Sequence, residues 1–508
     1  MPATAIQLNA HNPIIVEHRI SLSQPSVKSL IYRNILCSCI DSHGRNKPLW
    51  SASEIAEAVN GRIIKWGPSG TISTDSRTLK PGQWFFALVG KNFNAHDFVS
   101  PELYGKGCVG VIGNHVCKKW EMGFIQVEGD TSTALQKMAK YARKRFNGRV
   151  VGITGSVGKT TTRTMITHAL ETIGSVYQTH GNQNNHIGVA LSLIGIPGNV
   201  DTAVLELGMS SKGEILELAQ MCRPSVRVLL NVEPSHLVNF GSLEEVARTK
   251  GEILLEANPG DICVLNADDP LVMNLPVPEG VKKVLFGRRI GCDVCLVQAE
   301  STNGGCGVRV KLESTTEQVE FVIPSPGMHL AINACAAAAV AVTFGVSMSE
   351  LGESLSRFLP VHMRAKLEIA QNGIKIINDA YNANPTSTRA AIDLLKAMDC
   401  NGKRVAILGD MLELGPMEKE AHEIVLNLCC DAHLGLVVLI GKRFLAAAEN
   451  LNLTRKINFM CTLEVEELSL KIAKRLSSSD IVLVKGSRGL QMEKAVAEIK
   501  AMHLDGSC

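Results

Sequence analysis

Aromatic residues are scarce: Phe, Trp and Tyr together make up 4% of the 508 residues. That argues against a protein that grips single-stranded nucleic acid by stacking bases. A dominant charge is missing too. Lys and Arg number 52 against 49 Asp and Glu, a net of +3. So weak a bulk field does not gather polyanions, and any anionic ligand must be held by local sites. No nucleic-acid partner is expected. No apolar run approaches the ~20 residues of a membrane span. The most apolar stretch, Ala334 to Val342, is short and alanine-rich, and reads as a buried helix. The 15 cysteines include the close pairs Cys37/Cys39 and Cys292/Cys295, but no second CxxC at zinc spacing. They read as free thiols in a reducing compartment. Internal repeats and low-complexity segments are absent.

What is present suits an α/β protein. An apolar fraction of 45% supplies packed cores, and the length suggests about three domains. Residues 1–47 stand apart. They are Ser- and Asn-rich, with five basic residues (Arg19, Lys28, Arg33, Arg45, Lys47) and two acidic ones (Glu17, Asp41). This is the composition of an organelle transit peptide, the other reading being a tail with no address. Residues 48–128 read as a small α/β domain. Residues 129–360 alternate strands and helices as a parallel, doubly wound nucleotide domain, with an antiparallel extension over 281–323. Residues 361–508 repeat the alternation as a Rossmann-like domain.

The most telling segment is Gly152-Ile-Thr-Gly155-Ser156-Val157-Gly158-Lys159-Thr160-Thr161-Thr162. A strand-like Arg149-Val-Val precedes it and a helix-like Arg163-to-Leu170 follows. Strand, glycine loop and helix start form the phosphate cradle of an NTPase: backbone N–H groups turn inward and the helix terminus adds positive potential. Lys159 suits phosphate oxygens and the Thr160 hydroxyl suits Mg²⁺. The loop is a variant, since Ile153 stands where the standard pattern has its first glycine.

Other polar constellations sit at strand ends, where open α/β sheets bind ligands. Glu206 ends the apolar Ala203-to-Leu207 strand and suits Mg²⁺. Asn231-Val-Glu-Pro-Ser-His236 follows the next strand, and His236 suits a metal or a transferring group, though a lone histidine is more often structural. Thr179-His-Gly-Asn-Gln-Asn184-Asn185-His186 is a dense amide loop. Lys250, inside a helix pattern, reads by itself as a surface lysine. In the last domain, Ile377-Asn-Asp379-Ala-Tyr381-Asn382-Ala-Asn384, Leu408-Gly-Asp-Met-Leu-Glu-Leu-Gly415 and Val484-Lys485-Gly-Ser-Arg488 end three strands on one rim.

With Thr74-Asp-Ser76-Arg77 and Leu265-Asn-Ala-Asp-Asp269, these segments come in an order that closely resembles the Mur ligases, the ATP-dependent amide-forming enzymes of peptidoglycan precursor synthesis. The likeness runs from about Trp50 to the C-terminus. It implies a UDP-sugar end, a central ATPase and a C-terminal domain for the amine substrate. It implies ATP and two Mg²⁺ ions as cofactors, and a UDP-N-acetylmuramoyl-tripeptide and D-alanyl-D-alanine as partners. Thr74, Ser76 and Arg77 would serve the uridine diphosphate. Gly155 to Thr161, with Asn333 and Arg364, would serve ATP; Thr160, Glu206, His236 and Lys250 would be metal ligands. Lys159, Lys250 and His236 would be catalytic, Lys250 as the carbamate found in several relatives. Asn184, Asn185, Asp379, Tyr381, Asn382, Asn384 and Lys485 would line the substrate side. A monomer is expected. If the leader is an address, the location is a plastid stroma, and otherwise the cytoplasm. The chain departs from the family at His329-Leu330, Asn378-Asp379 and Pro270. Sister ligases and folylpolyglutamate synthases share the scaffold. The diamino-acid-adding sister usually carries Asp-Asn-Pro-Arg, whereas here Asn384-Pro385 runs into Thr386. A non-catalytic copy of the fold is the remaining reading.

Overall fold

The computed structural model describes residues 48–234, 237–451, 457–468, 472 and 475–502. The expected leader, residues 1–47, and His236 lie outside the described residues. Three sheets organise the rest, and the fold is the three-domain α/β arrangement expected from the alternation of strands and helices.

The first sheet contains β1 (Arg62–Lys65), β2 (Thr71–Ser73), β3 (Gln83–Phe86), β4 (Gly110–Gly113) and β5 (Gly123–Gln126), in the order β1-β5-β4-β3-β2. All neighbours are parallel except β1 against β5. The helix Ala52–Val59 that packs on it begins with a capping box: the Ser51 side chain accepts from Glu54 N while the Glu54 carboxylate accepts from Ser51 N. This reciprocal bonding satisfies two otherwise orphaned donors. The Thr71-to-Arg77 stretch is not one strand. It stops at Ser73, because Asp75 bends the chain by accepting from Arg77 N and its guanidinium.

The second sheet runs β14-β13-β12-β11-β10-β9-β6-β8-β7. Its strands are β6 (Arg149–Thr154), β7 (Val176–Gln178), β8 (Thr202–Glu206), β9 (Val226–Leu229), β10 (Ile262–Asn266), β11 (Lys282–Gly287), β12 (Val294–Thr302), β13 (Gly307–Ser314) and β14 (Gln318–Ile323). β7 to β12 pair in parallel around β6, and the β12-β13-β14 meander is the antiparallel extension. β6, β8 and β9 are apolar along nearly their whole length and buried on both faces. Continuous apolar strands are what a helix-covered parallel sheet requires. One face is closed by the alanine-rich helix His329–Thr343, whose small side chains let it lie close against the Lys159–Leu170 helix.

The third sheet, order β15-β16-β20-β17-β18-β19, has β15 (Lys366–Ile369), β16 (Lys375–Asp379), β17 (Arg404–Gly409), β18 (Leu436–Ile440), β19 (Phe459–Thr462) and β20 (Ile481–Lys485). Only β15 is antiparallel. The described cysteines, Cys108 to Cys461, are all free thiols. Among the described residues no helix is long and apolar enough to cross a membrane.

Candidate active site between the middle and C-terminal sheets

The loop after β6 is shaped by its glycines. Gly158, at φ +83°, caps the Lys159–Leu170 helix in a conformation that resists a side chain, and an added Cβ would meet Asn333 Oδ1 at 2.7 Å. The loop is braced from the next strand end. Asn231 Oδ1 accepts from Ser156 N at 3.0 Å and Val157 N at 2.9 Å, and Asn231 Nδ2 donates to Val157 O. Lys159 folds back, its Nζ donating to Gly155 O at 2.6 Å and Ser156 O at 3.2 Å. Burial lowers the pKa of its amine below the ordinary lysine value, with Glu206 opposing and Arg364 adding to that effect.

Glu206 ends β8 beside the loop and is 2% exposed. Its carboxylate accepts from Thr160 Oγ1 at 2.9 Å, from Asn184 Nδ2 at 2.9 Å and from Arg163 at 3.2 Å. Arg163 sits one turn after Lys159 on the same helix and neutralises the buried carboxylate. A buried charge needs such a partner.

Lys250 corrects the reading from spacing. It is 2% exposed, lines the cavity beside Lys159, and has no hydrogen bond or ion pair among the described residues. Burial, with a smaller push from Lys159, depresses its pKa well below the ordinary lysine value. The helix Leu243–Leu255 turns this face inward because Val246, Ala247, Ile253 and Leu254 form its buried stripe.

Opposite, the strand ends of the third sheet close the space. Asp379 takes Lys485 Nζ at 2.6 Å and Ala365 N at 3.1 Å, and Lys485 also donates to Asn382 O. Arg364 lies over the Tyr381 ring at 3.8 Å and points its guanidinium toward Thr160, 3.5 Å away. The result is a cavity of about 450 Å³ walled by both domains. It gathers Ser156 to Thr161, Asn184, Glu206, Lys250, Asn333, Arg364, Asp379, Tyr381, Asn382, Asn384 and Lys485.

Not every expected residue reaches it. Gly155, the residue after β6, at φ +156°, does not line it. Asn185 is spent as a helix cap, its Oδ1 accepting from Gly188 N at 2.9 Å. Thr74, Ser76 and Arg77 stand after β2 in the first sheet, outside this cavity, with Arg77 exposed and paired to Asp75. Sequence reasoning missed Asn231, Arg163, His329 and Thr386. Asn231 lay in plain view in the segment singled out for His236, and Arg163 was legible as a charged residue on the inward side of the loop helix.

Residues 153–341 match the Mur ligase middle domain, and residues 363–488 match the glutamate ligase domain of the Mur ligases. The UDP-N-acetylmuramoyl-tripeptide–D-alanyl-D-alanine ligase of Bacillus subtilis is 34% identical over 456 residues, covering 88% of this chain and 98% of the relative. Its Escherichia coli counterpart is 32% identical, covering 90% and 99%. The chain belongs to the Mur ligase family. In three dimensions the ligase is similar to MurF from Acinetobacter baumannii, with a TM-score of 0.78 at 30% identity, covering 89% of this chain and 99% of that one. It is also similar to the Thermotoga maritima MurF ligase in complex with ADP, with a TM-score of 0.72 at 28% identity, covering 85% and 97%.

Proposed function

We propose that the ligase joins D-alanyl-D-alanine to a UDP-N-acetylmuramoyl-tripeptide, driven by cleavage of ATP. The observation that carries this is the shared cavity: a phosphate loop forms one wall, and the polar strand ends of a separate domain form the other. Relatives that span nearly their whole length with this chain carry that activity in their names.

A free carboxylate does not accept an amine at neutral pH, because oxide is a poor leaving group. In the proposed sequence a carboxylate oxygen of the tripeptide attacks the γ-phosphorus of ATP, the bond to the β-phosphate oxygen breaks, and ADP leaves an acyl phosphate. The dipeptide nitrogen then attacks the acyl carbon. The carbon–oxygen bond to phosphate breaks, inorganic phosphate departs, and the nitrogen sheds its proton. Lys159 and Arg364 neutralise charge on the transferring group. Asp379, Tyr381, Asn382, Asn384 and Lys485 hold the amine side.

The residues fit Mg²⁺. A hydroxyl and a carboxylate, Thr160 and Glu206, meet at 2.9 Å beside the loop. No group of three or more His, Cys, Asp or Glu side chains that could hold a metal exists among the described residues. That donor set suits an ion that completes its shell with phosphate oxygens and water. Bound there, Mg²⁺ supplies charge neutralisation at the phosphates. Lys250 fits a third oxygen donor: its neutral amine would attack CO₂, forming an N–C bond and releasing one proton, to give an anionic carbamate.

The adenine contact of Asn333, the uridine diphosphate contact of Thr74, Ser76 and Arg77, the ligand role of His236, domain limits near 128 and 360, and a monomeric state belong to the same proposal. A plastid address in residues 1–47 is a separate one, resting on composition; a reporter fused to that segment tests it. Phosphate release by the purified protein tests the reaction. It should require both the UDP-sugar tripeptide and the dipeptide, and release that needs neither defeats the assignment.

A further inference from the structure

The short segment after β9 touches the phosphate loop with its backbone and the C-terminal domain with a side chain. Ser156 Oγ donates to Glu233 O at 3.0 Å, and Glu233 N donates back to Ser156 Oγ at 2.8 Å. Asp269 fixes the preceding residue by accepting from Val232 N at 2.7 Å. The Glu233 backbone is therefore tied to the loop through a reciprocal pair. Its carboxylate faces the other way, where Thr386 Oγ1 donates to it at 2.8 Å. Thr386 lies in the first turn of the Pro385–Ala397 helix, whose cap is Asn384 and whose start lines the cavity. Thr386 and Glu233 are 153 residues apart and on different domains. Both are partly buried, so the bond is shielded from water and retains more of its strength.

We propose that Glu233 is a positioning residue that couples the phosphate loop to the C-terminal domain, holding Asn384 and its helix start over the cavity so that the amine, rather than water, meets the acyl phosphate. This rests on the ligase reading above. The uncoupled alternative is balanced: water attacks the acyl carbon, the carbon–oxygen bond to phosphate breaks, phosphate leaves, and the original carboxylate returns. A loop that shifts with its ligand moves Ser156, hence Glu233, hence Thr386. A further contact between these regions supports the same coupling. Gly415, after β17, sits at φ +57° with room for no side chain, an added Cβ meeting Val238 N at 3.0 Å.

The test measures phosphate released and amide formed in parallel, with KM for D-alanyl-D-alanine, for the full chain and for Thr386→Val, Glu233→Ala and Glu233→Gln. A hydrogen bond to a charged acceptor is strong enough for about a tenfold effect. Thr386→Val and Glu233→Ala should each raise the KM for the dipeptide about tenfold and at least double the phosphate-to-amide ratio, with ADP affinity unchanged. The pair combined should do no more than either alone. Glu233→Gln keeps an acceptor oxygen and should stay near the parent. An unchanged ratio and KM in Thr386→Val overturns the proposal, as does a fall in every parameter together with the melting temperature. Failure of the parent itself to couple phosphate release to the two substrates sinks the ligase reading instead.

Discussion

Lys250 shows how much one residue depends on its surroundings. An amine that is 2% exposed, with no acceptor among the described residues, has its pKa pushed well below the ordinary lysine value by burial. Its folded pKa lies far below its unfolded one, so over that interval the unfolded chain binds the extra proton. Stability therefore rises with pH across the interval and is lost as pH falls toward the folded value. Replacing Lys250 with Met removes the misplaced amine while keeping the volume. The expected outcome is a gain of about 1–3 kcal/mol in urea unfolding at neutral pH, together with loss of ligase activity. A second outcome tests the carbamate: ¹³C-labelled CO₂ should give a carbamate resonance in the parent that is absent from Lys250→Met. Glu206→Gln argues the complementary case. It leaves Arg163 buried without a counter-charge, and the expected cost is about 3–5 kcal/mol in stability with activity lost. Residue chemistry was partly legible in the sequence. Lys159, Thr160 and Glu206 declare themselves because a phosphate loop and a strand end have fixed local forms. Lys250 does not, because a lysine on the apolar stripe of a helix looks like any other helical lysine until the cavity it faces, walled by residues distant in the chain, is assembled. Asn231 meets backbone N–H groups, and Glu233 the Ser156 hydroxyl, 74 to 77 residues away, a relation no local pattern records.

At the scale of elements, the strand ending near Glu206 and the alanine-rich helix lie where the sequence reading puts them, whereas β6 runs on to Thr154, into the segment read as loop after Arg149-Val-Val. β6, β8, β17, β18 and β20 are apolar runs bounded by turns, and burial on both faces leaves little else for such runs to be. Short strands escaped notice: β4 and β5 inside the first sheet, and the edge strands β7, β15 and β19. β7 has three residues, β15 alternates Lys366 and Glu368 with Leu367 and Ile369, and β19 lies at the end of its sheet. Edge strands carry mixed residues because one side is unpaired, and that erases the apolar signal. The phosphate loop offers a sharp test of element geometry. Gly158→Ala places a side chain at φ +83° and drives its Cβ toward Asn333 Oδ1. The left-handed conformation alone costs about 1–2 kcal/mol. Displacing Asn333 should also weaken ADP binding at least about tenfold by titration calorimetry. Equal ADP affinity in the variant would show that the loop and the His329–Thr343 helix are not packed as described.

For the whole molecule, the distribution of core decides what moves against what. One apolar cluster runs without a break from Trp50 and Ile55 in the first domain, through Leu135 and Leu193, to Leu254 and Val272 in the second. Trp50 Nε1 donates across the junction to Ile194 O at 3.2 Å, and Arg145 covers the Trp50 ring at 4.7 Å. These two domains should behave as one body. The C-terminal domain has its own clusters on the two faces of its sheet. It meets the middle domain through thin contacts: Thr386 with Glu233, Asp399 N with Gly304 O at 2.9 Å, and Gly415 against Val238. Bodies without a shared core unfold separately. Scanning calorimetry should resolve two transitions rather than three. ADP with Mg²⁺ at about a hundred times its dissociation constant should add about 2.7 kcal/mol to the species that binds it. That raises the transition of the larger, N-terminal body by several degrees, and the C-terminal transition should move to the extent that the nucleotide engages it through Arg364 or through the Glu233–Thr386 bond. A single transition would mean that the domains are fused more tightly than their cores indicate, and three would mean that the Trp50 junction carries no cooperativity. Thr386→Val separates these cases further. It should leave both transitions in place while reducing the shift that ADP transmits to the C-terminal body, because the change is one hydroxyl at one of the contacts between the two.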